Sequence, residues 1–275
     1  MPLKTSLTGS YPPIESPQPY RLLPKPQQNS LVLKSIQRAM NDQIELGIDI
    51  LVDGQVRDDI VSLFFSHLPS INGENLPYHL VGKIKPTDEP ITLDDYLSAK
   101  KLVGNIPLKA HITGPITLAR SLVVDIESPY TSKTDPQLID DLAVMLGEEA
   151  KHLVKAGAET VQIDEPVLAD GADLDIAFMA MRKIIEIGEI PFPALHACGN
   201  VSDVLHSILA EAPIKAVSIE GSWLKREELL DIDKKMLKKY DKLIGLGCIS
   251  VPDYKIETLR SVQNFIDQMI TRLSR

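Results

Sequence analysis

Short apolar runs alternate along this chain with longer segments that carry apolar residues at three- and four-residue spacing, and this alternation most constrains the fold. Seven of the apolar runs have the length of strands, and Gly or Pro bounds most of them. They cover residues 5–11, 49–53, 108–113, 159–164, 193–198, 216–220 and 242–249. The segment after Asp135-Pro136 shows the helical pattern most clearly, because Leu138, Leu142 and Met145 fall on one face.

Strands that alternate with helices indicate parallel βαβ units. Further helices are predicted over residues 30–46, 174–187, 201–212, 226–239 and 258–273. Seven or eight such units in 275 residues favour an α/β fold of the (β/α)8 barrel (TIM barrel) type over an open doubly wound sheet. Because seven strands are found, either one strand escapes the pattern or the eighth lies beyond residue 275.

One segment, residues 56–105, is too long to be a single connecting helix. Pro residues interrupt an extended pair near 79–92, and a helix follows near 93–102. We interpret the segment as an insertion in one catalytic barrel domain that spans residues 1–275. Its composition does not distinguish a lid over substrate, a contact for a partner protein and a simple cover for the barrel.

The composition excludes several classes of protein. Hydrophobic residues make up 44% and charged residues 24%, which is typical of a globular domain. No apolar run approaches the ~20 residues of a membrane span, and the N-terminus lacks the apolar stretch of a secretory signal. The net charge of -9 offers no basic face for nucleic acid. We therefore expect a cytoplasmic protein that acts on small molecules, with no nucleic acid or membrane as partner.

A histidine and a cysteine stand two residues apart in PALHACGN, at the end of a predicted strand. His196 and Cys198 therefore lie on one face, at the barrel end where active sites assemble. Glu220 ends the next strand and Cys248 the one after it, and all four side chains are of types that bind zinc. The alternative is structural, because a buried cysteine packs as a small hydrophobe. The pattern leaves both interpretations open.

Two adjacent carboxylates end the strand in QIDEPVLAD. Neighbouring residues on a strand face opposite ways, so one of Asp164 and Glu165 points into the barrel, and Asp164 shares its face with Gln162. As a functional group, Asp164 would hold the ammonium group of a substrate. As a structural group, it would cap a helix or orient a metal-bound histidine.

Three further motifs follow predicted strands. Thr8, Gly9 and Ser10 form a small turn, which is either a backbone N–H site for a carboxylate or an ordinary strand exit. Gln55 lies in DGQVRDD, a pattern typical of a solvated charged loop. His111 lies in HITGPIT, a pattern typical of a packed strand end.

Read together, TGSYPP, DGQVRDD, ITGPIT, QIDEPVL, LHACGN, SIEG and GLGCISV resemble the C-terminal catalytic barrel of cobalamin-independent methionine synthases. The chain is most similar to the short single-barrel "core" methionine synthases of archaea and some bacteria, in a barrel superfamily that includes uroporphyrinogen decarboxylases. The resemblance implies a zinc-dependent methyltransferase that makes methionine from homocysteine. It implies that His196, Cys198 and Glu220 bind Zn2+.

The resemblance also assigns the amino acid end of homocysteine. It implies that this end is held by Thr8, Gly9, Ser10 and the catalytic Asp164.

The chain departs from the family pattern at several positions. The family's second cysteine ligand lies in a Pro-Asp-Cys-Gly motif that this sequence lacks, so we expect either further chain beyond residue 275 or Cys248 in that role. Gln55 stands at the position of a family glutamate, and Asp170 at that of an acidic residue beyond IDEP, so the resemblance makes both candidates for substrate binding. Pro252 replaces a histidine associated with protonation of folate, and Ser121 replaces a tryptophan that stacks on folate.

These departures lead us to expect methylcobalamin or a corrinoid protein, rather than a folate, as the methyl donor. A methyl group leaves cobalt without a proton, whereas methyl-folate needs acid assistance. A first alternative is methyl transfer from methylcobalamin to another thiol, such as coenzyme M. A second is a metal-free barrel that serves as the binding subunit of a corrinoid complex.

Overall fold

A computed structural model describes residues 3–16, 18–74, 76–220, 232–249 and 257–274. The helices in this part of the chain are α1 (Lys25–Glu45), α2 (Ser62–Phe65), α3 (Leu93–Lys100), α4 (Pro115–Arg120), α5 (Pro136–Lys155), α6 (Leu174–Gly188), α7 (Ser202–Glu211), α8 (Lys234–Tyr240) and α9 (Leu259–Ser274). The strands are β1 (Ile71–Asn72), β2 (Tyr78–Leu80), β3 (Ala110–Thr113), β4 (Leu122–Val124), β5 (Thr160–Asp164), β6 (Phe192–Ala197), β7 (Ala216–Glu220) and β8 (Leu243–Gly247). Short 3-10 turns cover Tyr20–Leu22 and Pro166–Asp170.

Parallel segments in chain order form the centre of the fold. Five regular strands pair in the order β3-β5-β6-β7-β8. Two isolated parallel bridges, Ser6 to Ile50 and Leu51 to Leu108, extend this row toward the N-terminus. All seven predicted strand regions therefore occur in the row, although the first two form single bridges instead of ladders. No ladder within the described ranges joins the outer edge of β8 to the first segment, so an eighth strand stays a prediction.

The two faces of this sheet differ in polarity. Ile112, Ile163 and Leu195 are fully buried and lie in the main hydrophobic core. The alternate positions, such as Thr113 and Asp164, carry polar side chains. These side chains point to the opposite face of the sheet, toward the interior of the barrel. In a parallel sheet covered by helices both faces are buried. The polar interior is therefore a functional feature, because burying such groups has a cost unless they are paired.

The helices begin where the sequence supplies caps. Asp135 accepts a hydrogen bond from the Gln137 N–H at the start of α5, and Asp173 caps α6 in the same way. Helix α1 begins at Lys25, earlier than the predicted residue 30, because proline is tolerated in the first turn. The predicted helix over 226–239 corresponds to α8 at its C-terminal end, and residues 226–231 lie outside the described residues. Of the described helices, none combines the length and apolar character that crossing a bilayer requires.

The segment 56–105 contains α2, β1, β2 and α3. Strands β1 and β2 form an antiparallel pair, and β2 also pairs with β4, which lies outside the segment. The extended pair predicted near 79–92 is wrong in its extent, because β2 ends at Leu80 and no strand follows it before α3. The carboxylate of Glu149 on α5 accepts the N–H groups of Ile91 and Thr92 at the start of α3. This contact ties the segment to the helices around the barrel.

Candidate active site

Polar side chains from neighbouring strands form rows inside the barrel. The strand register places Thr113, Asp164, His196 and Ser218 side by side, near the C-terminal ends of β3, β5, β6 and β7. His111 and Gln162 lie side by side one row below, toward the N-terminal ends of the strands. Because the C-terminal ends of barrel strands carry the active sites of this fold class, the upper row is the candidate site.

Asp164 lies at the centre of this row and is 5% exposed. Its Oδ2 accepts a hydrogen bond from Gln55 Nε2 at 2.8 Å, and its Oδ1 accepts one from Gln162 Nε2 at 2.6 Å. The other side-chain atom of Gln55, Oε1, is buried and has no hydrogen-bond partner among the described residues. An acceptor without a donor therefore lies beside a buried carboxylate, and this arrangement favours a cationic N–H donor.

A tight turn places Gln55 against Asp164. The Gln55 N–H donates to Asp53 Oδ1 at 3.0 Å, and both Gly54 and Gln55 have positive φ, of 94° and 48°. A Cβ at position 54 would lie 2.9 Å from Ala39 Cβ and 3.0 Å from Tyr11 Cβ, so glycine is required there. The interpretation of this motif as a solvated loop is therefore wrong for Gln55, whose assignment to substrate binding stays a prediction.

The turn formed by Thr8, Gly9 and Ser10 lies next to this region. These three residues are exposed, and Gly9 has a φ of 84°. The N–H of the following residue, Tyr11, donates to the carbonyl of Gly54 at 2.6 Å. This hydrogen bond holds the exposed turn beside the turn that carries Gln55.

His196 carries its ring in the form that binds metals. Its Nδ1 donates to the Ser218 carbonyl at 3.2 Å, which leaves the lone pair on Nε2. Burial lowers the pKa of His196, and the charges of Asp164 and Glu220 partly oppose this shift. The imidazole is therefore neutral at neutral pH and able to act as a ligand.

Cys198 follows the end of β6 and is half-buried. Burial is the main cause that raises the pKa of this thiol, and the nearby carboxylates of Glu220, Asp164 and Asp170 raise it further. Asp170 itself is exposed at the end of the second 3-10 turn. The thiol thus lies in a negative field, which a bound cation would compensate.

The types of donor at these strand ends fit zinc, but the side chains are not gathered into a metal site. Within the described ranges, no group of three or more His, Cys, Asp and Glu side chains is placed to hold a metal ion. His196, Cys198 and Glu220 supply nitrogen, sulfur and oxygen from the ends of two adjacent strands. Cys248 follows the end of β8 and, two residues further along, shares the strand face of Leu246, which packs against the core. Its strand position is therefore opposite to that of Glu220, whose register partner is Gly247.

Glu165, adjacent to Asp164, has a structural role. It is fully buried, and it accepts hydrogen bonds from the N–H groups of Ile116 and Thr117, at 3.0 and 2.6 Å, and from the Thr117 hydroxyl. Burial raises the pKa of this carboxyl to about 7, and these donors oppose the shift. Of the two adjacent carboxylates, Glu165 therefore caps α4 and Asp164 faces the barrel interior.

Of the two positions that bear on the methyl donor, the structure describes Ser121 alone. Ser121 follows α4, and its hydroxyl donates to the Thr117 carbonyl at 2.8 Å. Pro252 lies outside the described residues.

The Arg57 guanidinium, from the motif DGQVRDD, pairs with the Asp95 carboxylate at 2.7 Å in a partly buried contact. The solvated charged loop predicted for this motif is therefore wrong for Arg57 as well.

Two buried polar residues of the interior were not predicted as part of the site. Lys109 is 6% exposed and donates from Nζ to Gln162 Oε1 at 2.6 Å and to the Leu7 carbonyl at 3.2 Å. Burial lowers the pKa of Lys109 to about 8. The alternation of polar and apolar residues in KAHIT and QID is the sequence feature that could have identified both Lys109 and Gln162.

A parallel barrel with a neutral histidine, a thiol and buried carboxylates at its strand ends belongs to the class of barrel enzymes. Residues 3–275 match the family model described as "Cobalamin-independent synthase, Catalytic domain", and the chain belongs to that family. It is therefore a methyltransferase, as predicted. The family's description gives no support to methylcobalamin or a corrinoid protein as donor.

Relatives and solved structures agree with this assignment. The chain is 34% identical to a methionine synthase of Methanocaldococcus jannaschii, over 86% of this chain and 73% of that protein. It is 30% identical to a methionine synthase of Methanothermobacter marburgensis, over 85% of this chain and 76% of that protein. A B12-independent methionine synthase from Shewanella sp. W3-18-1, solved with selenomethionine, has the same fold with a TM-score of 0.83. That likeness covers 98% of this chain and 87% of the other at 22% identity, and it confirms the predicted barrel.

Proposed function

We propose that this chain makes methionine by transferring a methyl group to the thiol of homocysteine. The observation that carries the proposal is the buried Gln55 Oε1, which has no hydrogen-bond partner within the described ranges and lies beside the Asp164 carboxylate. An ammonium group donates three hydrogen bonds and carries the charge that offsets Asp164, so an amino acid fits this position. The names of the relatives, which are methionine synthases, support homocysteine as that amino acid.

The remaining parts of the amino acid have places nearby. The N–H groups of the turn formed by Thr8, Gly9 and Ser10 would bind the substrate carboxylate, because the Tyr11 to Gly54 hydrogen bond holds this turn beside Gln55. Asp170, which acts on Cys198 only through its charge, is a weaker candidate for a substrate contact. The substrate thiol would then extend toward His196 and Cys198.

Zinc is the cofactor that this donor set fits. His196 through Nε2, Cys198 and Glu220 would hold it, and Cys248 is the weaker candidate because of its position on the strand. Zinc bound there lowers the pKa of a thiol, from about 8.5 for a free cysteine, so that it is a nucleophile at neutral pH.

The reaction is a displacement at the methyl carbon. The thiol of homocysteine loses its proton to water, and its sulfur forms a bond to the methyl group. The bond between the methyl group and its donor breaks, and the electron pair stays with the donor. Asp164 and Gln55 contribute by fixing the amino acid end, so that the sulfur is held in line with the methyl group.

We propose that residues 1–275 act as one catalytic barrel.

The identity of the methyl donor is a separate part of the proposal. Ser121, in place of a tryptophan, supports methylcobalamin or a corrinoid protein, whereas the family's description as cobalamin-independent gives this donor no support. Methylcobalamin therefore stays a prediction that the assay must compare with methyltetrahydrofolate. A cytoplasmic location also stays a prediction.

A competition assay tests this function. Purified protein supplied with zinc is given homocysteine, coenzyme M and methanethiol, each with methylcobalamin and with methyltetrahydrofolate, and the methylated products are quantified. We expect homocysteine to be the best acceptor. Faster methylation of coenzyme M would favour a different thiol methyltransferase. No transfer to any thiol from either donor would favour the metal-free binding subunit.

A further inference from the structure

Lys109 is a buried cation that the proposed reaction does not use. Its Nζ donates to the Leu7 carbonyl at 3.2 Å and to Gln162 Oε1 at 2.6 Å. In the part of the chain that the structure describes, no carboxylate lies within ion-pair distance of this Nζ. A buried lysine without a carboxylate partner is costly, so a role in the site would account for its presence.

The contact with Lys109 fixes the orientation of the Gln162 side chain. An ammonium group only donates hydrogen bonds, so the amide oxygen of Gln162 must face it. The amide nitrogen then faces Asp164 Oδ1, at 2.6 Å. A flipped amide would place its oxygen against the Asp164 carboxylate and its N–H groups against the lysine. Both contacts would be repulsive.

The Leu7 carbonyl holds the other side of the lysine. Leu7 and Gln162 lie 102 and 53 residues from Lys109 in the sequence, so the closing of the barrel brings the three together. Lys109 is consequently held between two fixed acceptors. Gln162 is itself 2% exposed and has no room to take up another orientation in water.

We propose that Lys109 is a positioning residue, which acts through Gln162 to aim the Asp164 carboxylate at the ammonium group of the substrate. This inference rests on the proposed function. It assigns to Lys109 and Gln162 the preference of the enzyme for amino-acid thiols over thiols without an ammonium group.

The test compares homocysteine with its desamino analogue, which keeps the thiol and the carboxylate but lacks the ammonium group. For Lys109→Met we expect a KM for homocysteine about 10- to 100-fold higher. The reason is that the Asp164 carboxylate would no longer be oriented for its charged hydrogen bond to the substrate ammonium group. The kcat at saturating homocysteine, the KM for the analogue and the zinc content are expected to stay within about threefold. Lys183→Met, which removes a half-buried lysine paired with Asp140 on the helical layer, is the matched control and is expected to leave all of these unchanged.

A double-mutant cycle separates positioning from a general structural role. Gln162→Leu removes the donor to Asp164 while Lys109 remains, and it carries the test if Lys109→Met does not fold. Because Lys109 acts through Gln162, adding Lys109→Met to Gln162→Leu is expected to raise the KM no further. Additive effects, or equal effects on homocysteine and the analogue, would overturn the inference. A wild-type protein that shows no preference for homocysteine over the analogue would overturn the proposed function itself.

Discussion

Asp164→Asn is expected to lower kcat/KM for homocysteine about 100- to 1000-fold while the zinc content stays at the wild-type level. Asp164 is buried and supplies the negative charge beside the unpartnered Gln55 Oε1. Removing one partner of a buried ion pair costs about 3 to 5 kcal/mol, and the lower part of this range, about 3 to 4 kcal/mol, corresponds to the expected loss in kcat/KM. The amide that replaces the carboxylate also turns its NH2 group toward one of the two donors, Gln55 Nε2 or Gln162 Nε2, so that one of these hydrogen bonds is lost.

The measurement is steady-state kinetics with homocysteine and with its desamino analogue. The expected loss is confined to homocysteine, because the analogue has no ammonium group to pair with Asp164. Asp140→Asn is the matched control, since Asp140 lies on α5 and pairs with Lys183 away from the site. Equal losses for the two thiols would contradict the assignment of Asp164 to the ammonium group.

Gly114→Ala is expected to destabilise the fold by about 3 kcal/mol or more, because the added methyl group has no space. A Cβ at position 114 would lie 2.2 Å from Glu165 Oε2 and 2.4 Å from Glu165 Cδ. Glu165 cannot move away without breaking its hydrogen bonds to Ile116 and Thr117. The backbone φ of -74° at Gly114 is ordinary, so the effect is steric.

Thermal unfolding measures this effect. We expect the midpoint to fall by roughly 6 to 12 °C. Gly82→Ala is the control, since a Cβ there would meet Ser70 Cβ at an ordinary 3.4 Å. An unchanged midpoint for Gly114→Ala would mean that Glu165 does not cap α4 as described.

The arrangement of the barrel could be predicted because it depends on local patterns. Buried parallel strands read as short apolar runs, so all seven strand regions were found. Strand β4 was missed because it has three residues and pairs with β2, which is distant in the sequence. The first two segments pair through single bridges instead of ladders. This difference depends on tertiary pairing, for which the local sequence has no pattern.

The sequence located only those site residues that stand at or just after the end of a predicted strand. His196, Cys198 and Glu220 were located at neighbouring strand ends from spacing alone, and Asp164 was assigned to the inner face as one of two options. Gln55 was assigned to the substrate site only through the family resemblance, because its contact with Asp164 joins positions 109 residues apart and its local pattern is typical of a solvated loop. Such contacts depend on the closed barrel and have no local sequence pattern.

Zinc content tests the central claim most directly, since the proposed activation of the thiol requires the metal at His196 and Cys198. We would measure zinc per chain by elemental analysis for the wild type and for His196→Ala, Cys198→Ala and Cys248→Ala, with and without homocysteine. We expect about one zinc per chain in the wild type and in Cys248→Ala. We expect the zinc to be lost in His196→Ala and in Cys198→Ala. A wild type without zinc, or variants of His196 and Cys198 that keep it, would contradict the account.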